Sequence, residues 1–173
     1  AGWETFGLID PGFATPTGCG VKGQAALLQP SHPVDAAQPI IYDNGVFVIA
    51  HDSGLIAVGS TSENTFEDPA SADEKLDAVI DRARLLCPAL VDAVVVEKWA
   101  GIRPKATGRE PLVGPLPGFA NTLIAAGGFK ISFAVAHLMA KAVIAQTDGA
   151  KPDFLPDIFM PGNRLKPRLD RAP

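Results

Sequence analysis

The sequence predicts an α+β fold: a mostly antiparallel sheet with a few flanking helices. Three observations predict it. Apolar runs come in hairpin pairs, the clearest being Ile40–Ile49 and Leu55–Ser60 around His51-Asp-Ser-Gly54, whose Asp-Ser-Gly is good turn chemistry. Strands do not alternate with helices, as they would in a parallel doubly wound sheet. Only two stretches repeat apolar residues at helical spacing, one after Ser71 and one after Ser132.

Residues 1–20 are rich in Gly, Pro and Thr and read as irregular. Val21–Leu28 is a short strand stopped by Pro30 and Pro33. Ser71-Ala-Asp-Glu74 fits a capping box, with Ser71 as N-cap and Glu74 reaching back to it. Leu76, Val79, Ile80, Ala83 and Leu86 then trace one helix face, ended by Pro88. Val94–Trp99 and Thr122–Ala126 read as strands. Phe133 to Gln146 reads as a helix opened by Ser132 and closed by Gly149 and Pro152. The remainder reads as an extended tail.

The 173 residues are enough to bury a real core, and 47% hydrophobic with 20% charged residues is ordinary for a globular chain. A net charge of −4 argues against a nucleic-acid partner, which calls for a basic face. The basic tail from Arg164 to Arg171 reads as a solvated terminus. Cys19 and Cys87 show neither metal-ligand spacing nor a disulfide framework, which favours a reducing, cytoplasmic setting. No uninterrupted apolar run reaches the roughly 18 residues of a membrane span. No signal peptide is evident, and the start at Ala1-Gly2-Trp3, without Met, suggests processing or a boundary.

Gly18-Cys-Gly-Val-Lys-Gly23 matches the dinucleotide fingerprint, with Asp43 about 20 residues on. Its context is wrong: Pro11 and Pro16 interrupt any preceding strand, and Pro30 and Pro33 leave no room for a crossover helix. Glycines that allow close strand packing are the better account.

Two segments carry chemistry. Trp99-Ala-Gly-Ile-Arg-Pro104 places Arg103 in an apolar, glycine-spaced turn, where a guanidinium can take a carboxylate bidentately or form a structural ion pair. Gly127-Gly-Phe-Lys-Ile-Ser132 joins a strand to a helix start, whose amides and dipole favour an anionic or electron-rich ligand atom. The same pattern also serves as a tight turn with Ser132 as N-cap and Lys130 solvated. His32, His51 and His137 have no nucleophile or carboxylate at a recognisable spacing, and no metal cluster is evident. A carboxylate clamp without an acid–base pair suits chemistry done by a cofactor.

From about Val21 to Ile144 the chain resembles the C-terminal half of the D-amino-acid oxidase and glycine oxidase family of FAD-dependent oxidoreductases. The resemblance runs, in family order, through Val21-Lys-Gly-Gln24, Tyr42 to Ile49, Gly54 to Thr61, the helix ending at Cys87-Pro88, Trp99 to Pro104, Glu110-Pro-Leu-Val-Gly114 and Leu123 to Ser132. It implies four segments: 1–20 as a remnant or linker of the FAD-binding domain, 21–121 as an antiparallel-sheet substrate domain, 122–148 as a strand and helix returning to the FAD-binding domain, and 149–173 as the tail. It implies that Arg103 holds the substrate carboxylate and that Phe47 and Lys130 belong to the same pocket. It implies that Ala1, Gly2, Gly101, Gly127, Gly128, Phe129, Lys130, Ile131 and Ser132 approach non-covalently bound FAD. Phe47 stands in place of a substrate-facing tyrosine, Lys130 in place of arginine, and Ile131-Ser132 in place of a more polar pair. No cysteine lies between Trp99 and Phe133 to link the flavin. The implied reaction is hydride transfer from the α-carbon of an amino acid or related amine to flavin. FAD affinity would depend on an N-terminal half or a partner chain. A non-catalytic subunit and a stand-alone carboxylate-binding module are the alternatives.

Overall fold

The computed structural model describes residues 2–168. The chain divides into two compact units, one formed by Val21–Ile102 and the other by Ala1–Gly20 with Arg103–Pro173.

In the unit Val21–Ile102, β1 (Gly18–Gln29), β2 (Ile41–Asp43), β3 (Val46–Ala50), β4 (Ile56–Gly59) and β5 (Val94–Ala106) form a sheet in the order β2-β3-β4-β1-β5. The pairs β2–β3, β3–β4 and β1–β4 are antiparallel. Val48 lies opposite Val58, and Val58 opposite Ala26, so three apolar side chains share one face and are buried there. Leu76, Ile80 and Ala83 of α2 (Glu74–Leu86) close over that face. Phe47, between the buried Val46 and Val48, points to the other face and is 40% exposed.

The run Ile40–Ile49 is two strands rather than one. Asn44 and Gly45 both take positive φ (43° and 90°), the pairing of a type I′ turn, which an Asn-Gly dipeptide favours. The cap of α2 also differs from expectation. Asp73, not Ser71, accepts from the Lys75 amide at 3.1 Å, while Ser71 donates to Asp68. A buried side chain decides this: Gln24 Oε1 accepts from the Asp73 amide at 2.7 Å, and Gln24 Nε2 donates to Asp73 at 2.7 Å and to Glu63 at 2.8 Å. Lys22, almost wholly buried, adds an ion pair to Asp73 at 3.5 Å. The segment Val21-Lys-Gly-Gln24 thus anchors the start of α2 to the sheet.

That network makes the unit acid-sensitive. Burial disfavours the charged form of Glu63, but hydrogen bonds from Lys75, Thr61 and Gln24 outweigh it and hold the carboxyl below its ordinary 4.5. The Gln24 hydrogen bond, helped by the Lys75 amide, lowers Asp73 likewise. Carboxyls held low in the folded state add stability above their unfolded values, and that stability is lost as pH falls through the folded ones. Gln24→Leu should lower stability by about 1–3 kcal/mol at neutral pH, because it leaves buried polar partners unmet. It should also flatten the acid limb of a denaturation-against-pH series. An unchanged limb would remove Gln24 from this role.

In the other unit, α1 (Thr5–Ile9) stands where irregular chain was expected, followed by a 3-10 turn at Asp10–Gly12. β6 (Leu112–Pro115) and β7 (Leu123–Ala126) pair antiparallel. Adjacent β6 residues point to opposite faces. Leu112 joins Phe6, Ile9, Phe13 and Ile124 in one cluster, and Val113 joins Met139 and Ala142 of α3 (Ser132–Thr147) in another. β6 therefore holds α3 by one face of the helix only. Phe133 is fully exposed and Ile144 is 64% exposed. With the turn before it, this helix is long and apolar enough to cross a membrane by length and composition. Lys130, His137 and Lys141 interrupt its apolar stretches, so no uninterrupted apolar run reaches that length.

Candidate functional site

Arg103 lies within a strand rather than in a turn, since β5 continues through Ala106. Pro104 is tolerated there because β5 is an edge strand of its sheet. The Arg103 side chain is partly buried, and burial lowers the pKa of its guanidinium. An arginine remains cationic throughout the working pH range, so a partly desolvated guanidinium favours an anionic partner.

Beside this end of β5 lies the β7–α3 turn, tied to it by a bridge between Lys105 and Gly128. Gly127 has φ 78°, and a Cβ there would come within 2.6 Å of the Ala106 Cβ. Gly128 has ordinary helical angles, but its Cβ would meet Ser132 Oγ at 2.6 Å. Both glycines let the turn close on its own neighbours. Phe129 then adopts φ 47°, a left-handed conformation unusual for a phenylalanine and held by the packing around it. The N-cap of α3 is Ile131, without a side-chain cap. Ser132 is the first helical residue and donates to the Phe129 carbonyl at 3.0 Å, which corrects its expected capping role.

These elements enclose a cleft of about 340 Å³. Gly2, Thr5, Pro104, Ala125, Ala126, Gly127, Gly128, Ser132, Ala136, Met139 and Ala140 line it. The wall is small, mostly apolar and free of charged side chains, and it abuts the positive end of a helix. Such a lining fits one face or edge of a flat, polarisable ring. The volume is at the low end for ligand pockets, so it suits one end of a dinucleotide rather than the whole.

Of the residues singled out in the sequence, the structure brings Gly2, Gly127, Gly128 and Ser132 to this cleft, with Phe129, Lys130 and Ile131 on the adjoining turn. Ala1 lies outside the described residues. Gly101 is in the other unit, exposed, and a Cβ there would meet nothing within 4 Å, so packing does not require glycine. Phe47 is also in the other unit, with its ring 4.5 Å from that of Tyr42. His32, His51 and His137 are exposed. Among the described residues no group of three or more potential metal ligands occurs. A larger cleft of about 600 Å³ lies in the other unit, but it is polar, lined by residues such as Lys22, Asp68 and Lys75, and holds none of the expected site residues. Pro104, Ala125, Ala126 and the α3 residues Ala136 and Ala140 were missed in the sequence. Small apolar residues carry no chemical signature, although continuing the strand past Trp99 would have flagged Pro104.

The sequence profile of the FAD dependent oxidoreductase family (DAO) matches residues 1–142. Glycine oxidase of Pseudomonas aeruginosa is 29% identical over 145 residues, which are 84% of this chain and 39% of that protein. Glycine oxidase of Pseudomonas putida is 30% identical with the same coverage. Among solved structures, glycine oxidase from Geobacillus kaustophilus superposes with a TM-score of 0.79 at 21% identity, over 92% of this chain and 43% of that one. Iminodiacetate oxidase from Chelativorans superposes with a TM-score of 0.83 at 20% identity, over 93% and 44%. The chain thus spans about two fifths of the length of the relatives it matches. These likenesses bear out the α+β, mostly antiparallel fold, and they bear out the family resemblance. This chain belongs to the FAD dependent oxidoreductase family, alongside the glycine oxidases.

Proposed function

We propose that the chain forms the substrate-side part of an FAD-dependent oxidoreductase acting on an amino acid or related amine. The observation that carries this reading is the partly buried Arg103 next to the small-residue cleft at the α3 start. Arg103 binds the substrate carboxylate, and the guanidinium's planar donor pair fixes the substrate's orientation. The α3 start faces the flavin end of the cofactor, where its dipole favours negative charge. Bound FAD supplies the two-electron acceptor for oxidation at the carbon bearing the amine. The glycine and iminodiacetate oxidases among its relatives support a small amine bearing a carboxylate as the substrate class.

The remaining flavin contacts come from a nucleotide-binding portion of the kind for which the relatives' greater length leaves room. A helix apolar on nearly all sides belongs inside a larger assembly, and the exposed Phe133 and Ile144 face of α3 supplies the surface for that portion. The 173-residue chain alone should therefore bind FAD weakly. Purified, it should be colourless, and an FAD titration followed by flavin fluorescence should not saturate at stoichiometric protein. Stoichiometric, yellow protein would contradict this division of the cofactor site.

A further inference from the structure

The cations of this chain are placed unevenly. Residues 103–147 hold five of its fifteen lysines and arginines but one of its nineteen acidic residues, in a chain of net charge −4. That single acid, Glu110, lies 3.9 Å from Arg164, on the C-terminal segment. Three of the five lie on the strand and turn that flank the candidate cleft, although none lines the cleft itself. Arg103 and Lys105 are two residues apart on β5, which places them on the same strand face about 6.5–7 Å apart along the chain. Lys105 and Lys130 stand against one ring: their Nζ atoms lie 5.9 and 5.7 Å from the centroid of Phe129. The left-handed backbone of Phe129 holds that ring between strand and turn.

A single α-carboxylate needs one guanidinium. Two more ammonium groups beside it create a field that selects a second negative charge and draws such a ligand in from solution. We propose that Lys105 and Lys130 are specificity-determining residues that recognise a second anionic group on the substrate, so that the preferred substrate class is an amino dicarboxylate. This rests on the reading of Arg103 as the carboxylate clamp and adds the character of the substrate's far end. Lys105 meets the second carboxylate from the strand, and Lys130 meets it from the turn.

Aspartate and asparagine test this directly, being nearly the same shape and differing in one charge. With flavin-loaded protein containing this chain, kcat/KM is measured for the D and L forms of both. The expected result is a preference for aspartate of tenfold or more in the accepted enantiomer, shrinking as salt is raised. Lys105→Met and Lys130→Met should each reduce the ratio at least threefold. Lys141→Met, whose ammonium lies over Phe154 at 4.8 Å, should leave the ratio unchanged. Equal use of asparagine, or a preference that survives both substitutions, overturns the proposal while leaving the Arg103 reading in place. Oxidation that is indifferent to Arg103→Met overturns both.

Discussion

Arg103→Met is expected to raise KM for a carboxylate substrate by about 30-fold or more. Removing one partner of a charge-assisted, partly desolvated pair costs about 2–5 kcal/mol, and each 1.4 kcal/mol is tenfold. The substitution keeps much of the side-chain volume and takes away the charge and all five donors. Arg103→Lys keeps the charge but loses the planar fork, so a smaller rise of about tenfold is expected. On the proposed reading of Arg103 as the carboxylate clamp, the two variants should fall in this order in KM, and an amine without a carboxylate should distinguish them little. Steady-state kinetics of flavin-loaded protein checks both points. A KM within threefold of the parent in Arg103→Met would show that the arginine serves packing or an internal ion pair.

Gly127→Ala should be strongly destabilising in the unit that carries the candidate site. Its φ of 78° costs an L-residue roughly 1–2 kcal/mol. The added Cβ would also stand 2.6 Å from the Ala106 Cβ and 3.2 Å from the Ala106 amide nitrogen. Overpacking of that kind adds about 1–3 kcal/mol, so a total of about 2–5 kcal/mol is expected. Gly45→Ala gives the comparison: φ is 90°, but nothing lies within 4 Å of its Cβ. Only the backbone cost applies there. Thermal denaturation should show a drop several degrees larger for Gly127→Ala than for Gly45→Ala. Equal drops would mean that the β7–α3 turn yields around the methyl.

The sheet strands and helices were legible where a period was clean. β3 and β4 alternate apolar side chains against α2, and Leu76, Ile80 and Ala83 recur at helical spacing, so these elements follow from the sequence. Three elements did not. α1 hides in a segment crowded with glycine and proline and forms because Phe6 and Ile9 pack on Phe13 and Leu112. β5 extends past Trp99 through Gly101 and Pro104, residues that normally signal a turn and are tolerated at a sheet edge. The α2 cap is chosen by Gln24, 49 residues away, which no local pattern encodes. The site was read in the same uneven way. Arg103 and the Gly127–Ser132 turn stand out by residue type. Lys105 does not until β5 is known to continue, for only then does it share a face with Arg103. The left-handed Phe129 has no sequence signal, since the conformation is imposed by packing.

The most direct test of the account is anaerobic reduction of the flavin in flavin-loaded protein containing this chain, followed by loss of flavin absorbance after mixing with glycine or methylamine, and with D- or L-aspartate or β-alanine. Each amine is its amino acid without the α-carboxylate. The account predicts that an amino acid bleaches the flavin and that its decarboxylated amine does so at least about 30-fold more slowly at equal, subsaturating concentration. Comparable rates for the two would contradict a carboxylate clamp at Arg103 as the basis of substrate recognition.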